Sequence, residues 1–310
     1  MPTLSRSILR ENVYPGPFPG KHHPMDHPTE LPALGGKHSN GTIPSRSTSL
    51  EPTPHGYAAR VVSRLGHRRA WVSGAIVGVV GYVVMALVLL GMAFLVTHLL
   101  APGPVGVWDN GVNRWFVTQR TSALDTAAAI GSALGGAPVV MGVALITAIA
   151  LSIARRWRAL GLLATGLLIE AAAFLTTATL IYRPRPPVPK LELPPPTSSF
   201  PSGHTAAAIV LYVSLAIIMG TLTRSRSLRV LAWFLAIFVP ALVGASRMYR
   251  GMHHPTDVIG AVILGVGALL FALLAARTAG EMRARFSETG RGRSTTAQAE
   301  PDQRVAAVSR

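Results

Sequence analysis

Apolar residues in this chain gather into six long runs, at residues 71–98, 127–154, 160–182, 205–222, 230–245 and 258–276. Each reaches or approaches the roughly 20 residues that a helix needs to cross the hydrocarbon of a bilayer. The fifth run is short and carries Pro240, so its ends are the least defined. Residues 1–58 are rich in Pro, Gly, Ser and His without apolar periodicity, and residues 280–310 are polar with scattered Arg. The expected architecture is all-α, a six-transmembrane helical bundle over residues 59–279 with disordered N- and C-terminal tails. Between the first two runs, VGVWDNGVNRWFVTQR places Val107, Trp108, Val112, Trp115 and Phe116 at roughly helical spacing. That spacing predicts a helix lying at the membrane interface, where Trp is favoured, with a packed loop as the alternative.

Composition agrees with a membrane protein and excludes an ordinary soluble domain: 49% of the 310 residues are hydrophobic, 14% are charged and the mean hydropathy is +0.40. A net charge of +16 would also fit a nucleic-acid binder. The arginines, however, flank the apolar runs instead of lining one amphipathic face, so no nucleic-acid partner is expected. Arg64, Arg68 and Arg69, then Arg155, Arg156 and Arg158, then Arg224, Arg226 and Arg229 fall at every second boundary. The excess of positive charge on cytoplasmic loops places these groups and both tails in the cytoplasm. The chain has no cysteine, which rules out disulfides and thiolate metal sites. The first run starts too far in, and is too long, for a secretory signal, so it is expected to stay as a helix.

Seven basic residues fall on the outer side by this topology: Arg114, Arg120, Arg183, Arg185, Lys190, Arg247 and Arg250. Five of them sit in two loops, YRPRPPVPKLELPPPTSSFPSGH (182–204) and SRMYRGMHHPTD (246–257), which also hold His204, His253, His254 and Asp257. Cations and imidazoles gathered against the orientation rule point to an anion site. Ser202 and Gly203 precede the fourth membrane helix, where free backbone N–H groups and the helix dipole favour a phosphate. A simple N-cap at Ser202 is the alternative. Pro255 suits the first turn of the sixth helix, so Asp257 falls within that turn, where its carboxylate can reach His253 and fix the imidazole tautomer. It can also serve only the helix dipole, and His253, His254 and Asp257 can be read as metal ligands, although no further convergent donor is evident. Arg185 and Arg247 offer fork-shaped donors to phosphate oxygens. The cluster of His22, His23, Asp26 and His27 reads as a solvated tail, Asp125 as a helix-start carboxylate, and Glu170 as a single acid inside the third run.

Three stretches resemble the motifs of the type 2 phosphatidic acid phosphatase superfamily, which includes the membrane lipid phosphate phosphatases. RPRP matches the first, Pro201, Ser202, Gly203 and His204 the second, and Ser246, Arg247, His253 and Asp257 the third. The family's first motif has a lysine seven residues before its arginine, where this chain has Ala178 (from Arg185) or Thr176 (from Arg183). The resemblance implies a metal-independent and cofactor-free phosphatase of lipid phosphates or diphosphates at the outer leaflet of a bacterial inner membrane. In that reading His253 attacks phosphorus to form a phosphohistidine, Asp257 orients it, and His204 protonates the leaving oxygen and then activates water. Ser202, Gly203, Arg185 and Arg247 hold the phosphate, with Arg183 or Lys190 as stand-ins for the lysine. Two alternatives stay open: a phosphotransferase using the same phosphohistidine with an acceptor other than water, and a non-catalytic anion transporter whose main support is Glu170.

Overall fold

The computed structural model describes residues 70–308 continuously, with side chains from 71 to 282, and Leu50, Tyr57, Ala58, Arg60 and Val61 before them. The N-terminal tail expected at 1–58, with its histidine cluster, otherwise lies outside the described residues. No strand occurs among the described residues. Eight helices follow in order: α1 (Ala70–Phe94, prolonged by a π-helical turn at Leu95–Leu100), α2 (Pro104–Thr118), α3 (Ser122–Ala133), α4 (Ala137–Ile153), α5 (Trp157–Leu180), α6 (Gly203–Leu222), α7 (Arg226–Tyr249) and α8 (Pro255–Val308).

Among the described residues five helices are long and apolar enough to cross a membrane: Trp71–Leu100, Trp157–Leu180, Gly203–Leu222, Arg226–Tyr249 and Pro255–Met282. The second predicted run becomes a sixth crossing only as a broken pair, α3 and α4, bent by 43°. Pro138 has no N–H to continue the ladder onto the Leu134 carbonyl, so the ladder stops at Leu134–Gly136 and restarts with that proline in the first turn of α4. Valines of α1 (Val79, Val80, Val83) and Phe234, Ile237 and Phe238 of α7 are exposed in belts that only lipid would cover. The chain is a multi-pass membrane protein.

Two helix boundaries differ from the sequence reading. α7 runs past residue 245 to Tyr249, because its last turn is held by contacts of Ser246, Arg247 and Tyr249 and not by apolarity. The backbone of α8 is helical as far as Val308, past residue 279, where the bundle was expected to end. At the core α8 packs on α1, α5 and α6. Leu89, Phe200, Val210, Leu264 and Ala268 are fully buried there. This packing fixes the loop after α5, the start of α6, the end of α7 and the start of α8 at one end of the bundle. Arg155, Arg156 and Arg224 lie in the turns at the other end, with Arg158, Arg226 and Arg229 in the adjoining first turns of α5 and α7.

Candidate active site

A cavity of about 490 Å³ opens between α4, α5, the start of α6 and the end of α7. Arg185, Gly203, His204, Arg247 and His253 line it, so the structure brings five of the eight sequence-predicted site residues to one space. Asp257, Ser202 and Arg183 stand behind its wall.

His253 lies in the short turn between α7 and α8, buried, with Nδ1 2.8 Å from the carbonyl oxygen of Ser199. A carbonyl can only accept, so Nδ1 carries the hydrogen and Nε2 keeps its lone pair. Burial holds the imidazole below its ordinary 6.5, against the opposing pull of the Asp257 carboxylate. Asp257 itself is 3.6 Å from Nδ1, beyond hydrogen-bond range. Its Oδ2 accepts from the Ser199 hydroxyl at 2.5 Å and from the backbone N–H of His254 at 2.8 Å. The second contact is half of a capping box at the start of α8. Asp257 therefore braces the Ser199 segment that holds His253, in addition to lying near the ring.

Arg183 is buried away from the cavity. Its guanidinium pairs with Asp257, donates to Thr256 Oγ1 at 2.8 Å and reaches Asp109 Oδ2 at 2.8 Å. Asp109, fully buried on α2, also accepts from the Thr256 N–H and hydroxyl at 3.1 and 2.6 Å. Sequence reasoning read α2 through its tryptophans, which are indeed exposed, and missed this acid. The available signal was the recurrence of Gly106, Asp109 and Asn113 at helical intervals, a small and polar stripe that is the buried face of the helix.

Ser202 is also buried, its hydroxyl 3.0 Å from Thr205 Oγ1 and its N–H donating to the Asp257 carbonyl at 3.1 Å. It starts α6 without a side-chain cap to the backbone. Gly203 follows because any β-carbon there would stand 3.0 Å from the Phe174 ring, which forms the cavity floor. Gly135, at the α3–α4 break, packs so close that a β-carbon would fall 2.5 Å from the His204 carbonyl oxygen. The break thus seats the start of α6.

Arg247 donates to Ser132 Oγ at 2.8 Å and to Glu192 at 2.5 Å, and Arg250 donates to the other oxygen of the same carboxylate at 2.9 Å. Burial pushes Glu192 up, but these two arginines outweigh it and hold the carboxyl below its ordinary value. Nε of Arg247 is buried with no hydrogen-bond partner. Arg185 is tethered to the Met252 carbonyl at 2.8 Å and to Thr197 Oγ1 at 3.3 Å. Lys190 reaches only the Pro186 carbonyl at 3.4 Å and, like Arg183, does not line the cavity. Among the described residues no three His, Asp or Glu side chains gather as a metal site.

Fold and site together define a multi-span helical membrane protein with two histidines and two arginines around one cavity at the end of the bundle. Residues 157–281 match the model of the PAP2 superfamily, the family this segment is similar to. The chain is similar to phosphatidylglycerophosphatase B of Bacillus subtilis, 38% identical over 77 residues, which are 24% of this chain and 37% of that protein. It is also similar to undecaprenyl-diphosphatase BcrC of the same organism, 38% identical over 76 residues, 24% of this chain and 34% of that one. The alignments thus span about a third of these curated relatives. A crystal structure of a transmembrane PAP2-type phosphatidylglycerolphosphate phosphatase from Bacillus subtilis aligns with a TM-score of 0.49 at 25% identity, covering 62% of this chain and 93% of that one.

Proposed function

We propose that the protein is a lipid phosphate phosphatase that works through a phosphohistidine and faces the outer side of the membrane. The observation that carries this reading is one cavity with imidazoles and guanidinium groups at its mouth and an apolar wall of Val140, Met141, Ala144, Leu167 and Leu175. A phosphate can sit among the cations while an acyl or prenyl tail leaves between α4 and α5. The named activities of the curated relatives agree with this reading.

In this mechanism Nε2 of His253, left unprotonated by the Ser199 carbonyl on the far side of the ring, attacks phosphorus. The P–N bond forms as the P–O bond to the lipid breaks, and His204 gives its proton to the leaving oxygen. His204 then takes a proton from water, whose oxygen attacks the phosphohistidine, releasing inorganic phosphate and restoring His253. Arg185, Arg247 with its unpartnered Nε, and the Gly203 N–H at the start of α6 stabilise the charge on the phosphoryl oxygens. An arriving phosphate displaces Glu192 from Arg247, exchanging one anion for another at the same donor.

Phosphate release by purified protein, measured against a panel of lipid phosphates and diphosphates, tests the reading. His253→Ala is expected to lower the rate at least about a thousandfold, the scale of losing a nucleophile. Undiminished release by that variant would overturn it.

A further inference from the structure

Glu170 lies in the middle of α5, is 5% exposed, and lines the same cavity as the two histidines. The proposed mechanism does not use it. The structure gives its carboxyl no hydrogen-bond or ion-pair partner among the described residues. Leu167, Ala171 and Phe174, its neighbours along α5, and Met141 and Ala144 of α4 line the same cavity without a polar side-chain group. A carboxyl in such a place is strongly unfavourable unless something pairs with it. Glu170 lines the cavity, so a partner for it can come with the molecule that fills that space.

The depth of Glu170 limits what that partner can be. Phe174, one turn nearer the polar end of the same helix, underlies Gly203 beside His204. Glu170 is therefore about 6 Å further along α5 toward the tail end of the cavity, four residues at 1.5 Å each. In a glycerol phosphate ester the nearest polar atoms stand about four to six covalent bonds from phosphorus, a reach of about one helix turn. They are a glycerol hydroxyl or the carbonyl of an acyl ester. In a polyprenyl phosphate only carbon and hydrogen lie at that distance.

Resting on the lipid phosphatase reading, we infer that Glu170 selects substrates whose phosphate is attached to a glycerol unit, by hydrogen-bonding the hydroxyl or ester carbonyl that a polyprenyl phosphate lacks. A site that hydrogen-bonds its substrate discriminates against an analogue without the group, because the buried partner is then left unpaired. An amide at the same position retains both an acceptor and a donor, whereas an alkyl group retains neither.

The experiment compares kcat/KM for three substrates in the wild type, Glu170→Gln and Glu170→Leu: dioleoyl phosphatidate (ester carbonyl), phosphatidylglycerophosphate (headgroup hydroxyl) and undecaprenyl monophosphate (neither). The wild type is expected to prefer the glycerol phosphates. Glu170→Leu should lower that preference about tenfold or more, by slowing the glycerol substrates while leaving or improving the prenyl one. Glu170→Gln should stay within about threefold of the wild type. Leucine suits a membrane helix, and its residual prenyl activity reports that the variant is folded. The glycerol substrate that loses more shows which polar group is bound. A wild type that prefers undecaprenyl phosphate, or a Leu variant with an unchanged preference or inactive on all three substrates, overturns the role of Glu170 alone. Phosphate release from none of the three substrates by the wild type instead overturns the phosphatase reading, and the inference with it.

Discussion

The Ser199 carbonyl, at 2.8 Å, is the group that sets the tautomer of His253, while Asp257 stands at 3.6 Å and braces Ser199 from behind. Two consequences follow for Asp257→Asn. Orientation of the ring is partly retained, so the rate should fall by less than the about 10⁴-fold seen where a carboxylate alone fixes the tautomer. The proton affinity of His253 should also change, in a direction the charges dictate. In the proposed mechanism His253 acts only when neutral, so activity should be lost as pH falls through its pKa, which burial places below 6.5. Asp257 pulls that pKa upward, so removing its charge moves the acidic limb of kcat/KM to lower pH. A lipid phosphate has its own ionisation near pH 6, but it is the same for both proteins, and the difference between their profiles isolates the histidine. A limb that moves to higher pH or stays in place would refute this assignment. At this scale the sequence was informative where motif residues line the cavity, as at His204, Arg247 and His253. It was silent on Arg183, since proximity to Arg185 in the chain says nothing about which of two neighbouring guanidinium groups turns inward toward Asp109.

Among the helices, the break between α3 and α4 does most to shape the site. Apolar periodicity across residues 127–154 reads as one continuous span, because hydropathy is insensitive to a bend when both halves are apolar. Only Gly135, Gly136 and Pro138 marked the interruption. The break allows Gly135 to approach the His204 carbonyl and Val243, where a β-carbon would meet atoms at 2.5 and 2.7 Å. Gly135→Ala should therefore displace the start of α6 and reduce phosphate release about a hundredfold, the effect of a misplacement near 1 Å. Gly142→Ala, one turn into α4 with nothing within 4 Å of the added carbon, serves as its control. It should keep full activity and unfold slightly later, since alanine favours a helix over glycine by about 0.5–1 kcal/mol. Parallel measurement of phosphate release and thermal unfolding in detergent separates the two, and equal activity in both variants would remove the break from the site. The ends of α7 were illegible for a related reason: its last turn is held by polar contacts, to which a hydropathy window is blind.

For the molecule as a whole, the groups of three arginines at every second boundary predict which end faces the cytoplasm, and the absence of cysteine makes this easy to test. Leu193→Cys, 95% exposed in the loop over the site, should react with a membrane-impermeant maleimide on intact cells. Arg156→Cys, in the turn at the opposite end, should react only after lysis; the reverse pattern would invert the orientation. The bundle itself was readable from six apolar runs because lipid-facing helices must be apolar along their whole length. The buried polar cluster was not, because it joins residues far apart in the chain. That cluster also constrains biosynthesis. Asp109 emerges from the ribosome first, Arg183 some seventy residues later and Asp257 last, and each is held by the other two or their neighbours. On the proposed reading, no partially inserted intermediate can possess a working centre, and hydrolytic competence would arise only once the final span has docked.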